Sequence, residues 1–342
     1  MVKTMVLFLA TIIFSVSIVI GCPLISLAQR TSSVPQSKPA SSPSLMAALP
    51  QSDAVGLVKI QPLLNDALPM MVAQNPAKLG EVNAEIEKLK ARIGLDARMF
   101  DQIAFGMRYS YPRAGVTKVD TVAVGRGTFK VDSFVEAGKA APAGKYREEK
   151  YQGRTLYIFT LDQQLRIFGM FNMKVSDLAV APLDANTLAL GNVSEVKRAI
   201  DATKTRADSN AELIALATGD PNALVGFGGK VTPALVESLK LDNEAIAKDV
   251  SSIRQVYGSV STTEKDVAVF IAARATTAAS AQELSRTLKD LSNLGAFFVT
   301  RMPVPKRTAA STALDNLKIT TQGSELQIRT TVAQADIGSL MK

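Results

Sequence analysis

The sequence predicts an α+β fold made of two tandem repeats, each a mostly antiparallel sheet with helices on one face. Three observations carry this. Segments of alternating apolar and polar residues interleave with segments of helical period, tight-turn glycines join neighbouring strands, and landmarks recur with a shift of about 170 residues. A chain of 342 residues with 47% hydrophobic side chains is long enough for full-sized cores in both repeats.

Taken in order, the first 28 residues carry Lys3, no acid, and an apolar run from Met5 to Ile20 that continues through Leu24 and Ile25, the pattern of a signal peptide. Three fates compete. Ser26-Leu27-Ala28 fits the small-x-small cleavage rule, Val19-Ile20-Gly21-Cys22 resembles a lipobox that would lipidate Cys22, and the run from Met5 to Ala28 is long enough to remain as an anchor helix. Cleavage after Ala28 is the favoured reading, because Pro23 and the apolar residues behind it are unusual after a lipidated cysteine. Residues 29–46 are rich in Ser, Pro and Gln and read as a tether.

Repeat one is expected over 47–205 and repeat two over 206–342. Ser52 to Val58 with Lys59-Ile60-Gln61-Pro62 matches Pro221 to Phe227 with Lys230-Val231-Thr232-Pro233. Asp101 to Phe105 matches Asp266 to Phe270, and Gln152-Gly153 matches Gln322-Gly323, a turn signal in which glycine supplies the positive φ. In repeat one, Asn75 and Pro76 open a helix lined by Leu79, Val82, Ile86, Leu89 and Ile93, and a short helix follows over 133–140. In repeat two, Leu241, Ala245, Ile246, Val250, Ile253 and Val256 predict one helix. Ser280-Ala281-Gln282-Glu283 reads as the capping box of another, lined by Leu284, Leu288, Leu291 and Leu294. The strand segments around Leu165–Phe171 and Leu178–Leu190 have no counterpart in repeat two.

At Leu49-Pro50-Gln51-Ser52-Asp53-Ala54-Val55, and again at Asn186 to Gly191 ahead of a helix over 193–202, the chain resembles uncharacterised exported bacterial proteins whose mature domain opens with Leu-Pro-x-x-Asp-Ala-Val. The resemblance implies a duplicated α+β envelope protein and transfers no functional residue.

Composition excludes more chemistry than it suggests. With no histidine, no tryptophan and one cysteine, the chain has no Ser-His or Cys-His pair and no usual zinc, haem or iron-sulfur ligand set, so no cofactor or metal is expected. The formal charge is +8, or +7 once residues 1–28 are removed, but the basic residues are interspersed with acids, which argues against nucleic acid. Ser194-Glu195-Val196-Lys197 has the Ser-x-x-Lys spacing of histidine-free hydrolases, yet reads better as a helix start capped by Asn192, with Ser194 facing solvent and Lys197 skirting an apolar stripe. Gly226 to Thr232 departs from a phosphate loop at Leu224 and Val231, and its glycines mark a close backbone approach. The carboxylates of Asp184-Ala185-Asn186 and Asp220-Pro221-Asn222 are too sparse for a calcium loop.

Two apolar stretches stand apart. Ile167 to Met173 is rich in Met and Phe and reads chiefly as a buried strand. Leu294 to Arg307 begins as a helix end and turns into a basic, proline-rich loop in which Phe297, Phe298, Arg301, Met302, Lys306 and Arg307 are candidate partner contacts. The expectation is an exported, non-enzymatic envelope protein, periplasmic or extracellular, that binds a protein, a surface polymer or an apolar ligand. Peripheral contact with an anionic envelope surface belongs to the same expectation. The alternatives are a Ser-Lys hydrolase and a lipoprotein anchored through Cys22.

Overall fold

The computed structural model describes residues 45–340 apart from 74–75, 114–115, 143, 168–170, 206–209, 240 and 242. The segments expected as leader and tether, Cys22 included, lie outside the described residues up to residue 44. Leu45 and Met46, placed in the tether by the sequence reading, instead form a 3-10 turn over Leu45–Ala48 and are 4% and 1% exposed.

Among the described residues there are twelve strands: β1 (Ala54–Lys59), β2 (Phe100–Arg113), β3 (Val116–Gly127), β4 (Tyr146–Tyr151), β5 (Arg154–Ile167), β6 (Phe171–Asp184), β7 (Thr187–Gly191), β8 (Val225–Lys230), β9 (Ile253–Thr262), β10 (Asp266–Ala275), β11 (Lys318–Gln322) and β12 (Glu325–Ala333). All belong to one antiparallel sheet in the order β11-β12-β10-β9-β8-β1-β2-β3-β7-β6-β5-β4. The expected α+β class with antiparallel pairing is therefore present, but the halves do not form separate sheets. They join where β1 pairs with β8, from Ala54 opposite Gly229 to Val58 opposite Val225.

Helices cover both faces, which corrects the expectation of one. Successive strand residues point to opposite sides of a sheet, so Tyr157 and Phe159 lie on one face of β5 and Leu156 and Ile158 on the other. The first pair packs in a core with Phe134 of α3 (Asp132–Ala140). The second packs with Val196, Ala199 and Ile200 of α4 (Val193–Thr205) and Leu213 and Ala217 of α5 (Ala211–Ala217). The face of α3 also carries α1, built from the contiguous segments Ile60–Pro62, Leu63–Ala67 (a π turn) and Leu68–Met71, and α2 (Pro76–Ile93). On that side too lie α6 (Pro233–Ser238), α7 (Glu244–Ser251), α8 (Ala278–Val299), α9 (Val304–Asp315) and α10 (Gln334–Leu340). We call it the helix-rich face.

Locally, α2 follows its predicted stripe, with Val82, Ile86 and Ile93 buried. The helix predicted through Val256 stops at Ser251, because Ile253 and Val256 belong to β9, and its start is fixed by Asn243, whose side chain accepts from Ile246 N–H. Helix α8 is capped by Thr277, three residues ahead of the predicted Ser280, through a 3.0 Å bond from Ser280 N–H. The two Gln-Gly turns are offset by one residue. Gln152 and Gly153 both take positive φ between β4 and β5, whereas the loop between β11 and β12 is Gly323-Ser324, with Gly323 at φ 58°. At Gly226 and Gly228, a side chain would strike the carbonyl oxygens of Ala217 and Leu213, so these glycines admit α5 against β8. The Asp184 and Asp220 carboxylates each accept the amide two residues on, the Asx-turn use of such a residue. The Ile167–Met173 stretch spans the β5–β6 connection, whose centre lies outside the described residues.

Candidate functional site

Helix α8 changes character along its length. Its first turns are anchored, with Ala281 and Leu284 buried against Ala275 and Leu326 and with Ile253, Leu288 and Ile319 packed around them. Beyond Leu288 the apolar side chains continue but the cover stops: Leu294 is 40% exposed and Phe297 54%, while Phe298 is half-buried. The helix ends at Val299, where Pro303 and Pro305 forbid continuation of the same run. The predicted basic loop is in fact a tight turn followed at once by α9, which starts at Val304 with proline in its first turn. Helix α9 returns through its small buried residues Ala309, Ala310 and Ala313.

The six predicted contact residues thus come together at the tip of a helical hairpin. Arg301 lies 4.4 Å over the Phe297 ring, and Phe297 meets Phe298 edge-on at 5.8 Å. Met302 and Lys306 are half-buried, Arg301 and Arg307 exposed, and Val304, which the sequence reading passed over, is 67% exposed. Arg307 has a structural task as well, since its guanidinium donates twice to the Met302 carbonyl oxygen, at 3.1 and 2.9 Å, and closes the turn. From Leu291 to Leu314 the only charges in the sequence are Arg301, Lys306 and Arg307. Among the described residues none of these three forms an ion pair.

The structure parts the other candidate pair. Ser194 is exposed, and Lys197 places its ammonium 2.5 Å from Glu149 and over the Tyr151 ring. Asn192 stands ahead of α4 with its carbonyl accepting from Val196 N–H at 2.9 Å, and its side-chain oxygen accepts from Thr121 N–H at 3.3 Å. Glu195, between them, is the residue the motif concealed. It is 2% exposed and held by Arg108 at 2.7 Å and Arg198 at 2.8 Å, with Asp120 3.6 Å from the same Arg108 nitrogen. The hydrogen bond to Glu195 keeps the Arg108 pKa above its ordinary value.

A second polar group was invisible in the sequence. On the face opposite α8, the cross-strand neighbours of β9, β10 and β12 gather Tyr257, Phe270, Arg274, Glu325, Gln327 and Arg329. Arg274 donates to Glu325 and Gln255, and Gln327 bridges Glu325 and Arg329. Burial, and then the hydrogen bond with Glu325, pushes the Tyr257 phenol up to about 12. Alternation along distant strands built this group, and no local motif announced it.

No protein-family model matches the chain, and no curated protein matches it. Among solved structures it is similar to TP0453 at 10% identity. Crystal form III gives a TM-score of 0.45 over 87% of this chain and 97% of that one. Forms I and IV give TM-scores of 0.42 and 0.43 over 88% and 87% of this chain and 97% and 99% of theirs. No feature of the site is carried over from that likeness.

Proposed function

We propose that this is an exported, non-enzymatic envelope protein whose α8–α9 hairpin tip makes a peripheral contact with an anionic lipid surface. The observation that carries the reading is the tip itself, where exposed Leu294, Phe297 and Val304 sit beside three cations that form no ion pair among the described residues. A surface that meets lipid needs apolar area for affinity and positive charge for approach, and the tip supplies both within one turn and its flanks. Among the described residues no helix is long and apolar enough to cross a membrane. The signal-peptide pattern of residues 1–28 supports an envelope location.

The architecture supports descent from a duplicated unit. From the β1–β8 junction outward, β8-β9-β10 mirrors β1-β2-β3, and β12-β11 mirrors β5-β4, with the β6–β7 hairpin inserted in the first half. Under this reading β10 corresponds to β3, so the match of Asp101–Phe105 with Asp266–Phe270 is coincidental, while the first and third landmarks fall on corresponding elements.

The test is sedimentation with vesicles containing about a third phosphatidylglycerol. Binding is expected to weaken as salt rises from about 0.05 to 0.5 M, over which the screening length shortens from roughly 14 to 4 Å. Absence of binding at low salt, or equal binding to neutral vesicles, would refute the reading.

A further inference from the structure

The sheet ends at two edge strands, β4 and β11. An edge strand offers unpaired backbone groups to any second strand, and proteins blunt such edges with charge, proline, bulges or shortness. The two edges differ in this. Strand β4 reads Tyr-Arg-Glu-Glu-Lys-Tyr, whereas β11 reads Lys-Ile-Thr-Thr-Gln, pairs with β12 without a bulge and is charged only at Lys318.

The groups that β11 offers follow from its register. A two-residue turn, Gly323-Ser324, joins it to β12, so Gln322 and Glu325 are a hydrogen-bonded pair. By alternation, so are Thr320 with Gln327 and Lys318 with Arg329. The N–H and C=O of Ile319 and Thr321 therefore point away from β12. Among the described residues no other strand, loop or side chain bonds them. Lys318, Thr320, Thr321 and Gln322 are exposed.

We propose that β11 is a dimer edge, at which two copies of this chain pair antiparallel across a dyad at Thr320 and continue the sheet from one molecule into the next. In that register Ile319 of each copy lies opposite the second copy's Thr321, and every outward group is bonded. A dyad at Ile319 would set Thr321 against Leu317, whose N–H already donates to Leu314, and a dyad at Thr321 would set Ile319 against the turn residue Gly323. Charge favours the same register. On the face shared by Lys318, Thr320 and Gln322, the row runs Arg329, Lys318, then the second copy's Gln322 and Glu325, so the cationic end of each hairpin meets the anionic end of the other. Lys318 forms no ion pair among the described residues, and here it comes within two strand spacings, about 10 Å between backbones, of the second copy's Glu325. At the dyad itself threonine meets threonine, a favourable cross-strand pair. Strand β4 is barred from the same use, because any dyad from Arg147 to Lys150 sets a charged residue against its own copy. The dyad closes the pair, so growth stops at two copies. With five residues a side the interface is small and the dimer is of the transient, concentration-dependent class.

Sedimentation velocity of the purified protein with its native N-terminus, from about 5 to 500 µM, should show a monomer–dimer equilibrium. Thr321→Pro removes an N–H that β12 does not use, and Thr320→Glu sets like charges at the dyad. Each should weaken dimerisation at least tenfold with the thermal midpoint unchanged. Should both variants misfold, Thr320→Cys in a Cys22→Ser background decides. Its two copies should cross-link through one disulfide under mild oxidation, since directly opposite residues of a non-hydrogen-bonded pair lie about 4.5 Å apart, and failure to cross-link would count against the dyad. A monomer at every concentration, or a dimer that both folded variants leave unchanged, would overturn the proposal. Assemblies that grow beyond two copies would overturn it as well, by pointing to β11 docked on a second copy's β4.

Discussion

Asn210 shows how the Leu49 to Val55 motif is used. It is 4% exposed, its side-chain oxygen accepts from Ser52 N–H at 3.0 Å, and its amide donates to the Pro50 carbonyl at 2.9 Å. Asp53, in the same motif, accepts from Tyr109 N–H. The motif is legible in the sequence, but its partner, 158 residues away, is not, because a tertiary hydrogen bond leaves no periodic signal. Asn210→Ala should cost about 1–3 kcal/mol, since it removes the acceptor of the buried Ser52 N–H, while the Pro50 carbonyl keeps the Ser52 hydroxyl at 2.8 Å, and chemical denaturation measures it. Lys197→Ala and Ser194→Ala should each change stability by less than about 1 kcal/mol, because the Lys197–Glu149 pair is partly exposed and Ser194 faces solvent. At Glu325, burial works against the charge, but hydrogen bonds from Tyr257, Gln327 and Arg274 outweigh it and hold the carboxyl below its ordinary 4.5. The stability so gained is fully present above pH 4.5 and is lost as pH falls through the lower folded value. Glu325→Gln should flatten that part of the stability–pH curve, and an unchanged slope would remove Glu325 as its source.

Strong periodicity made elements such as α2 readable, and competing periods hid others. The run from Leu241 to Val256 satisfies a helical spacing, yet Ile253 and Val256 are β-branched and pair in β9, so tertiary pairing overrode the local pattern. The glycines of β8 were read correctly as a close approach, although the element approaching, α5, could not be named from the sequence. Gly226→Ala should push α5 outward and destabilise the fold by about 1–3 kcal/mol, because the added methyl meets the Ala217 carbonyl and not a flexible side-chain end. Phe134, 1% exposed on α3 and 5.9 Å from the Tyr157 ring, should cost about 3–5 kcal/mol on truncation to alanine. The six residues singled out between Phe297 and Arg307 lie not on a loop but on the end of α8, the turn after it and the start of α9. The sequence concealed this because proline reads equally as a loop residue and as the first turn of a helix.

On the scale of the molecule, the main core draws on both halves: Val58, Phe100 and Leu178 share it with Val225, Val260, Val332 and Ile337. The two repeats expected from the sequence therefore share one sheet and one main core, since repeat periodicity says nothing about whether two sheets fuse at their edges. A single thermal transition should result, and two well-separated transitions would contradict the shared core. The turn between α8 and α9 carries exposed Leu294, Phe297 and Val304 beside Arg301, Lys306 and Arg307, which form no ion pair among the described residues. The most direct test of that arrangement is vesicle binding by Arg301→Glu/Lys306→Glu, a variant that spares the turn-closing Arg307 and so keeps the hairpin folded. Affinity for phosphatidylglycerol vesicles at about 0.05 M salt should fall at least tenfold with the thermal midpoint unchanged. Affinity equal to that of the unmodified chain would contradict the account.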